Sequence, residues 1–269
     1  MHSPVSPLLG TTLVIAAHPD DEIACVTILK RARRPIVVFA TEGAPEHEFF
    51  WYEHGSRDAY RALRRSEATS GLARVGVSAI EFLADTTVIP LEDQQLHRAI
   101  PVLVDRVLAS ILVHRPDALL VPAYEGGHPD HDVCSFVGFV LSRLQGIPAW
   151  EMPLYHRSTT GTLVSQKFLD PGKETLVPLT GQELESRRIL LEAYASQRDL
   201  SKFAIATAEA FRPQRAYDYS RPPQDSASNY ESWGWSIKAR ELCGRFRELG
   251  SGLLNARADR FDSTRSPAV

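Results

Sequence analysis

The chain has 269 residues, 43% of them hydrophobic and 23% charged. That length allows one large domain or two small ones, and the composition excludes a disordered tail, a collagen-like fibre and a disulfide-stapled miniprotein. Thirty basic against thirty-three acidic side chains leave a net charge of −3, which offers no electrostatic footprint for nucleic acid or anionic lipid.

Short β-branched runs alternate with helix-like segments over the first 145 residues, the pattern of βαβ units and a largely parallel sheet. Thr11 to Ala16 predicts the first strand, and Asp21 to Arg33 a helix with acids first and bases last. Pro35 to Ala40 predicts strand two, Arg57 to Val75 a helix with a wet arginine face, and Ala79 to Leu83 strand three. Glu92 to His114 is amphipathic and stops at Pro116-Asp117; Ala118 to Pro122 is strand four, followed by a Gly-rich loop and a helix over His131 to Leu144. Further on, residues 162–170 and 174–178 suit strands, and Thr180 with Glu183 forms a capping box for a helix running to Ser196. From Phe211 to Trp235 the chain is rich in Pro, Tyr, Ser and Trp and reads as an irregular arm; the last dozen residues read as frayed.

Three scattered cysteines, Cys25, Cys134 and Cys243, form neither a disulfide framework nor a paired zinc motif. The N-terminus lacks a basic n-region, and no stretch reaches the roughly 18 apolar residues of a membrane span. The expected setting is soluble and cytoplasmic, with no nucleic-acid or membrane partner.

Chemistry concentrates at two strand ends. After strand one stands Ala17-His18-Pro19-Asp20-Asp21-Glu22, an imidazole and three carboxylates within five residues. Adjacent carboxylates repel unless a cation lies between them, so the grouping suits a metal site; the same acids would equally favour the positive end of a helix. After strand four comes Glu125-Gly126-Gly127-His128-Pro129-Asp130-His131, a second His-Pro-Asp triplet. In a doubly wound sheet of order 3-2-1-4, strands one and four are neighbours and the crevice beyond their carboxyl ends is where ligands bind. Three of the nine histidines, His18, His128 and His131, then meet there, whereas His2, His97, His114 and His156 lack such company.

These residues resemble the signature of the PIG-L-like (LmbE-like) family of metal-dependent N-acetylglucosaminyl deacetylases, an AHPDDE element after the first strand and an HPDH element after the fourth. Both match in full, at residues 17–22 and 128–131; Thr41-Glu42-Gly43, Arg64-Arg65-Ser66-Glu67 and Gly76-Val77 match more weakly. The resemblance implies an α/β, Rossmann-like, doubly wound sheet of order 3-2-1-4-5 with helices on both faces. One domain over 1–269 is expected, with a core at 10–200 and an irregular C-terminal arm at 201–269. No GxGxxG follows strand one, so dinucleotide binding is not implied.

By the same resemblance, His18, Asp21 and His131 hold a divalent metal, Zn²⁺ or, with the same donor set, Fe²⁺. Asp20 is the general base, His128 stabilises the oxyanion and protonates the leaving amine, and Asp130 orients His128, with a helix cap as its alternative role. Arg64 and Asp85 are the substrate contacts, each with a surface ion pair as its alternative. The implied reaction removes acetate from a small N-acetylated amino sugar or glycoconjugate, and a homo-oligomer is compatible with it. Two other readings are a phosphoesterase, which commonly needs two metals, and a non-catalytic small-molecule binding module on the same fold. Some relatives carry tyrosine two residues before the first histidine of the second motif, where Gly126 stands here. The aromatic, acidic loop from Glu46 to His54 is expected to overhang the crevice, and Trp233, Trp235, Tyr217, Tyr219 and Tyr230 to form either another wall or core.

Overall fold

The computed structural model describes residues 4–197 and 206–250; the chain end read as frayed lies outside them. In β1 (Thr11–Ala16) every residue is buried, as expected of a strand covered on both faces. Its side chains alternate between two cores: Leu13 and Ile15 join one, Val14 and Ala16 the other. Around it lie β2 (Arg34–Phe39), β3 (Ala79–Phe82), β4 (Ala118–Pro122) and β5 (Ala149–Met152), all parallel. The seven-stranded sheet runs β3-β2-β1-β4-β5 and then continues through β9 (Ala208–Pro213) to β8 (Thr175–Pro178), both pairings antiparallel. A separate two-stranded ribbon pairs β6 (Tyr155–Arg157) with β7 (Leu163–Ser165).

Helices cover both faces. α3 (Ile100–His114) and α4 (Pro129–Gln145) pack on the Leu13 side. α1 (Val26–Arg31), α2 (Arg57–Arg74) and α5 (Gly181–Ala193) cover the Val14 side. The Thr180–Glu183 capping box is formed at the start of α5.

Several sequence expectations need correction. The helix expected from Asp21 opens as a 3-10 turn, Asp21–Cys25, and only six residues of α-helix follow. Here Asp20 adopts φ 117° and makes no cap, while the Asp21 carboxylate turns back to the N–H groups of Ala17 and His18. The helix expected from Glu92 begins at Ile100, because the N–H groups of Gln94 and Leu96 are held by the Asp130 carboxylate. Of residues 162–170 only Leu163–Ser165 is a strand.

The arm is not uniformly irregular either. Its β9 enters the sheet between β5 and β8, carrying buried Glu209 and Arg212. Each charge is neutralised on site, Glu209 by Arg187 at 2.5 Å and Arg212 by Glu151 at 2.6 Å. Residues 214–228 form no regular element; then come the short α6 (Asn229–Ser232) and a helical stretch over 239–250.

Candidate metal centre

Register pairs Val14 of β1 with Leu120 of β4, so both strands end at one crevice. Four residues beyond Val14 stands His18, and eight residues beyond Leu120 stands His128, the N-cap of α4, with His131 in its first turn.

His18, Asp21 and His131 each present a ligand atom, and these atoms lie within 4.8 Å of one another. Asp21 Oδ1 is 3.1 Å from His131 Nε2 and Asp21 Oδ2 is 3.6 Å from His18 Nδ1. Asp21 Oδ2 also accepts from the N–H of Ala17 and of His18, each at 2.9 Å, which fixes the carboxylate rotamer. All three residues are buried, at 7% exposure or less. The test of fit is His131 Nε2, a buried nitrogen that makes no hydrogen bond despite facing a carboxylate. Two imidazoles and a carboxylate are the donor set of a catalytic Zn²⁺ or Fe²⁺ site. Ligands about 2.0 to 2.2 Å from a tetrahedral ion stand about 3.3 to 3.6 Å from each other, close to the spacings here. The residues present fit a divalent ion.

On its far side the His18 ring is held by two carboxylates, with Nε2 at 3.1 Å from Asp130 Oδ2 and 3.2 Å from Asp93 Oδ1. An Nε2–H donated there leaves the Nδ1 lone pair facing Asp21. Burial opposes charging His18, but the Asp93 charge and the hydrogen bonds to Asp130, Asp21 and Asp93 raise its pKa well above the ordinary value. Burial likewise opposes ionisation of Asp21, and His131 and His18 overcome it, holding the carboxyl well below its usual range. This concentration of negative charge is what a cation would neutralise.

Asp130 was expected to orient His128. Its Oδ2 lies 3.9 Å from His128 Nδ1, and that nitrogen accepts the backbone N–H of Asp130 at 3.1 Å. It therefore has no proton to donate to the carboxylate. Asp130 instead supports His18 and anchors Gln94 and Leu96. Nor is Asp130 the helix cap, a role taken by the His128 side chain.

Asp20, Arg64 and His128 line a cavity of about 200 Å³ together with the three ligand candidates. Asp20 Oδ2 is 3.3 Å from Arg64 Nη2. Its backbone N–H donates to Glu22 Oε2 at 2.9 Å, holding the left-handed conformation, which a non-glycine residue adopts at a strain of about 1 to 3 kcal/mol. Arg64 also donates to the carbonyls of Gly43 and Pro19, so it supports the loop as well as facing the cavity. Asp85 is not brought to the site. The 3-10 turn after edge strand β3 carries it to an exposed ion pair with Arg65, and it lines clefts elsewhere.

Six further residues that the sequence did not assign to the site complete the cavity: Pro45, Tyr60, Asp93, Gln94, Tyr155 and Gln197. Asp93 stands in a polar stretch that resembled the start of a helix, and only burial at 4% exposure distinguishes it. Of the aromatic loop, Phe50 reaches the cavity whereas Phe49 and Tyr52 are exposed. Trp233 and Trp235 form a wall; Tyr219 and Tyr230 are core residues, with Tyr217 packed against that core. A tyrosine at position 126 would not fit, because Gly126 has φ +67° and its Cβ would meet Pro223 at 3.1 Å and Ser228 at 3.3 Å. Tyr124 is turned away and donates to Arg221 O. No helix among the described residues is long and apolar enough to cross a membrane.

Residues 13–141 match the family model described as PIG-L, GlcNAc-PI de-N-acetylase. Among solved structures, the chain is similar to the zinc-inhibited form of teicoplanin deacetylase Orf2, with 14% identity and TM-score 0.57 over 76% of this chain and 97% of that one. It is similar to A40926 pseudoaglycone deacetylase Dbv21, with 17% identity and TM-score 0.57 over 76% and 96%. GalB, the 4-carboxy-2-hydroxymuconate hydratase from Pseudomonas putida KT2440, is also similar, with 13% identity and TM-score 0.52 over 80% and 98%. At such identities these likenesses establish the fold, which carries more than one chemistry, so activity has to be argued from the site. No curated protein matches the sequence.

Proposed function

We propose that this protein, whose residues 13–141 match the model described as PIG-L, GlcNAc-PI de-N-acetylase, is a divalent-metal-dependent N-deacetylase acting on an N-acetylated amino sugar or its conjugate. The observation that carries the proposal is the buried His18–Asp21–His131 set, with its orphaned His131 nitrogen, facing the same cavity as Asp20. Held by His18, Asp21 and His131, a divalent ion such as Zn²⁺ or Fe²⁺ would supply Lewis acidity to an amide carbonyl and to the attacking water near neutral pH.

The protein's own groups do the rest. Asp20 takes the proton from the attacking water, a role worth about 10² to 10⁴ in rate, and the Arg64 ion pair keeps its carboxylate aimed into the cavity. His128 accepts from the N–H of Asp130 through Nδ1, so a proton on its ring sits on Nε2, 3.7 Å from Asp93 Oδ1, and from there it serves the oxyanion or the departing amine. Asp130 and Asp93 hold the His18 ring from behind. Trp233 and Trp235 of the arm line the same cavity, which supports reading it with the core as one unit.

A two-metal phosphoesterase fits less well. The second group that could hold an ion, His18, Asp93, His128 and Asp130, reuses His18, whose Nε2 is already engaged by Asp130. The one Arg or Lys among the cavity's described lining residues is Arg64, already occupied by Pro19, Gly43 and Asp20, so none of those side chains is left over for a phosphate. A binding module needs no further carboxylate beside its ligands, whereas Asp20 lines the cavity there in a strained backbone conformation. The test is acetate release from N-acetylglucosamine and its conjugates: turnover should vanish with chelator and return with added divalent metal. Absence of release from every N-acetyl sugar by metal-loaded protein would contradict the proposal.

A further inference from the structure

Five of the residues lining the cavity form a continuous wall of rings. Its centroids run from His128 to Trp235 at 4.8 Å, to Trp233 at 5.3 Å, to Tyr155 at 6.2 Å, and back to His131 at 5.3 Å. Exposure grades along it, from 5% at His128 and 3% at His131 to 46% at Trp233. The wall thus begins beside the ligand residues and ends at solvent.

It is also built to stay in place. Ser228 and Glu231 cap α6 reciprocally. Asn229 donates its backbone N–H to Gly126 O at 2.8 Å and its side-chain amide to Gly127 O at 3.2 Å, and Tyr230 reaches Asp132 at 3.4 Å. The segment bearing both tryptophans is therefore latched to the loop that presents His128. The remaining lining is largely polar, with Asp20, Asp93, Gln94 and Gln197, and its arginine is already engaged.

Resting on the deacetylase reading, the geometry points to an aglycone subsite: the substrate is an uncharged N-acetyl amino sugar glycoside whose reducing-end substituent lays a flat apolar face on Trp233 and Trp235. Sugar hydroxyls meet the polar lining. The deep end is closed by His18, Asp21 and His131, each at 7% exposure or less, and suits a short acyl group. A group that reaches Trp233 must point out of the cavity, as a glycosidic substituent does. Aromatic contact of this kind is worth roughly 3- to 10-fold in affinity beyond the area it buries.

The experiment compares the phenyl and methyl glycosides of N-acetylglucosamine on the full-length, metal-loaded protein. It adds the methyl glycoside of the N-octanoyl analogue and a phosphorylated N-acetylglucosamine. The phenyl glycoside should exceed the methyl glycoside in kcat/KM by about 3- to 10-fold, mainly through KM. Trp233→Ala should bring that ratio to about 1, Trp233→Phe should retain it, and the phosphorylated sugar should be the poorest substrate. A wild-type ratio near 1, a ratio indifferent to Trp233→Ala, or preference for the phosphorylated sugar overturns the inference. An N-octanoyl preference lost in Trp233→Ala overturns it too, by assigning the wall to an acyl chain. Should no glycoside be hydrolysed, the deacetylase reading fails separately. Calorimetric binding of the same phenyl and methyl glycosides then decides: tighter phenyl binding dependent on Trp233 sustains the subsite, and equal or absent binding overturns it. Trp233→Leu, apolar but without a ring face, should also bring the ratio towards 1 and takes the place of Trp233→Ala if that variant does not fold; a ratio it leaves unchanged overturns the inference.

Discussion

Replacing Asp20 by Asn isolates proton transfer from every other property of the site. Asparagine has the same shape, tolerates the left-handed region better than most residues, and keeps an oxygen for Arg64 Nη2, now 3.3 Å away. The backbone N–H of residue 20 still reaches Glu22, and the ligand set His18, Asp21 and His131 is untouched. Stability should therefore stay within about 1 kcal/mol of wild type. What is lost is the base. General base catalysis is worth about 10² to 10⁴, equivalent to roughly 2.7 to 5.5 kcal/mol of barrier at 1.36 kcal/mol per decade. Initial rates of acetate release, metal content and denaturant unfolding on the same preparation measure all three quantities. The expected result is full metal occupancy, near-native stability and kcat down at least a hundredfold. Loss of the ion, or kcat within tenfold of wild type, would refute the assignment.

His131→Ala should abolish tight metal binding while the fold persists, as seen by metal analysis beside circular dichroism; full occupancy would remove His131 from the ligand set. Gly127→Ala should destabilise the protein by about 3 kcal/mol or more, because the added Cβ would lie 1.8 Å from Tyr155 O; wild-type stability in denaturant would contradict the packing described. His97 supplies a pH test away from the metal ligands: burial, then Arg245 and Arg98, push its pKa from 6.5 down to about 4. Between those values the unfolded chain binds the extra proton, so this contribution is present above pH 6.5 and is lost as pH falls toward 4. It amounts to up to about 3 kcal/mol, and His97→Asn should flatten the unfolding free energy over that window; an unchanged slope would refute it.

The sequence was most informative where one physical demand dominated. β1 and β4 are buried on every position, and their runs of β-branched and apolar residues set both boundaries as expected. The convergence of His18, Asp21 and His131 was legible because they follow those strands directly in two dense motifs. Legibility failed where a tertiary contact replaced a local one. β9 carries Glu209 and Arg212, polar in sequence yet neutralised by Arg187 and Glu151 from distant elements. Asp93 read as the edge of a helix, although the Asp130 carboxylate withdraws the N–H groups of Gln94 and Leu96 and leaves Asp93 against His18. The resemblance implies a substrate contact at Asp85, but an edge strand and a nearby Arg65 take it elsewhere. The partner of Asp130 was mistaken for a similar reason. Proximity in sequence suggested His128, while the ring it supports, His18, lies 112 residues away.

The claim beneath all of this is that one divalent ion sits among His18 Nδ1, Asp21 and His131 Nε2. Anomalous diffraction from crystals grown with stoichiometric zinc, recorded on both sides of the absorption edge, tests it directly. The account predicts one peak per chain bounded by those three groups, with Asp20 beside it and outside coordination. A peak ligated by Asp93 and His128 instead, or no peak in the crevice at all, would contradict it.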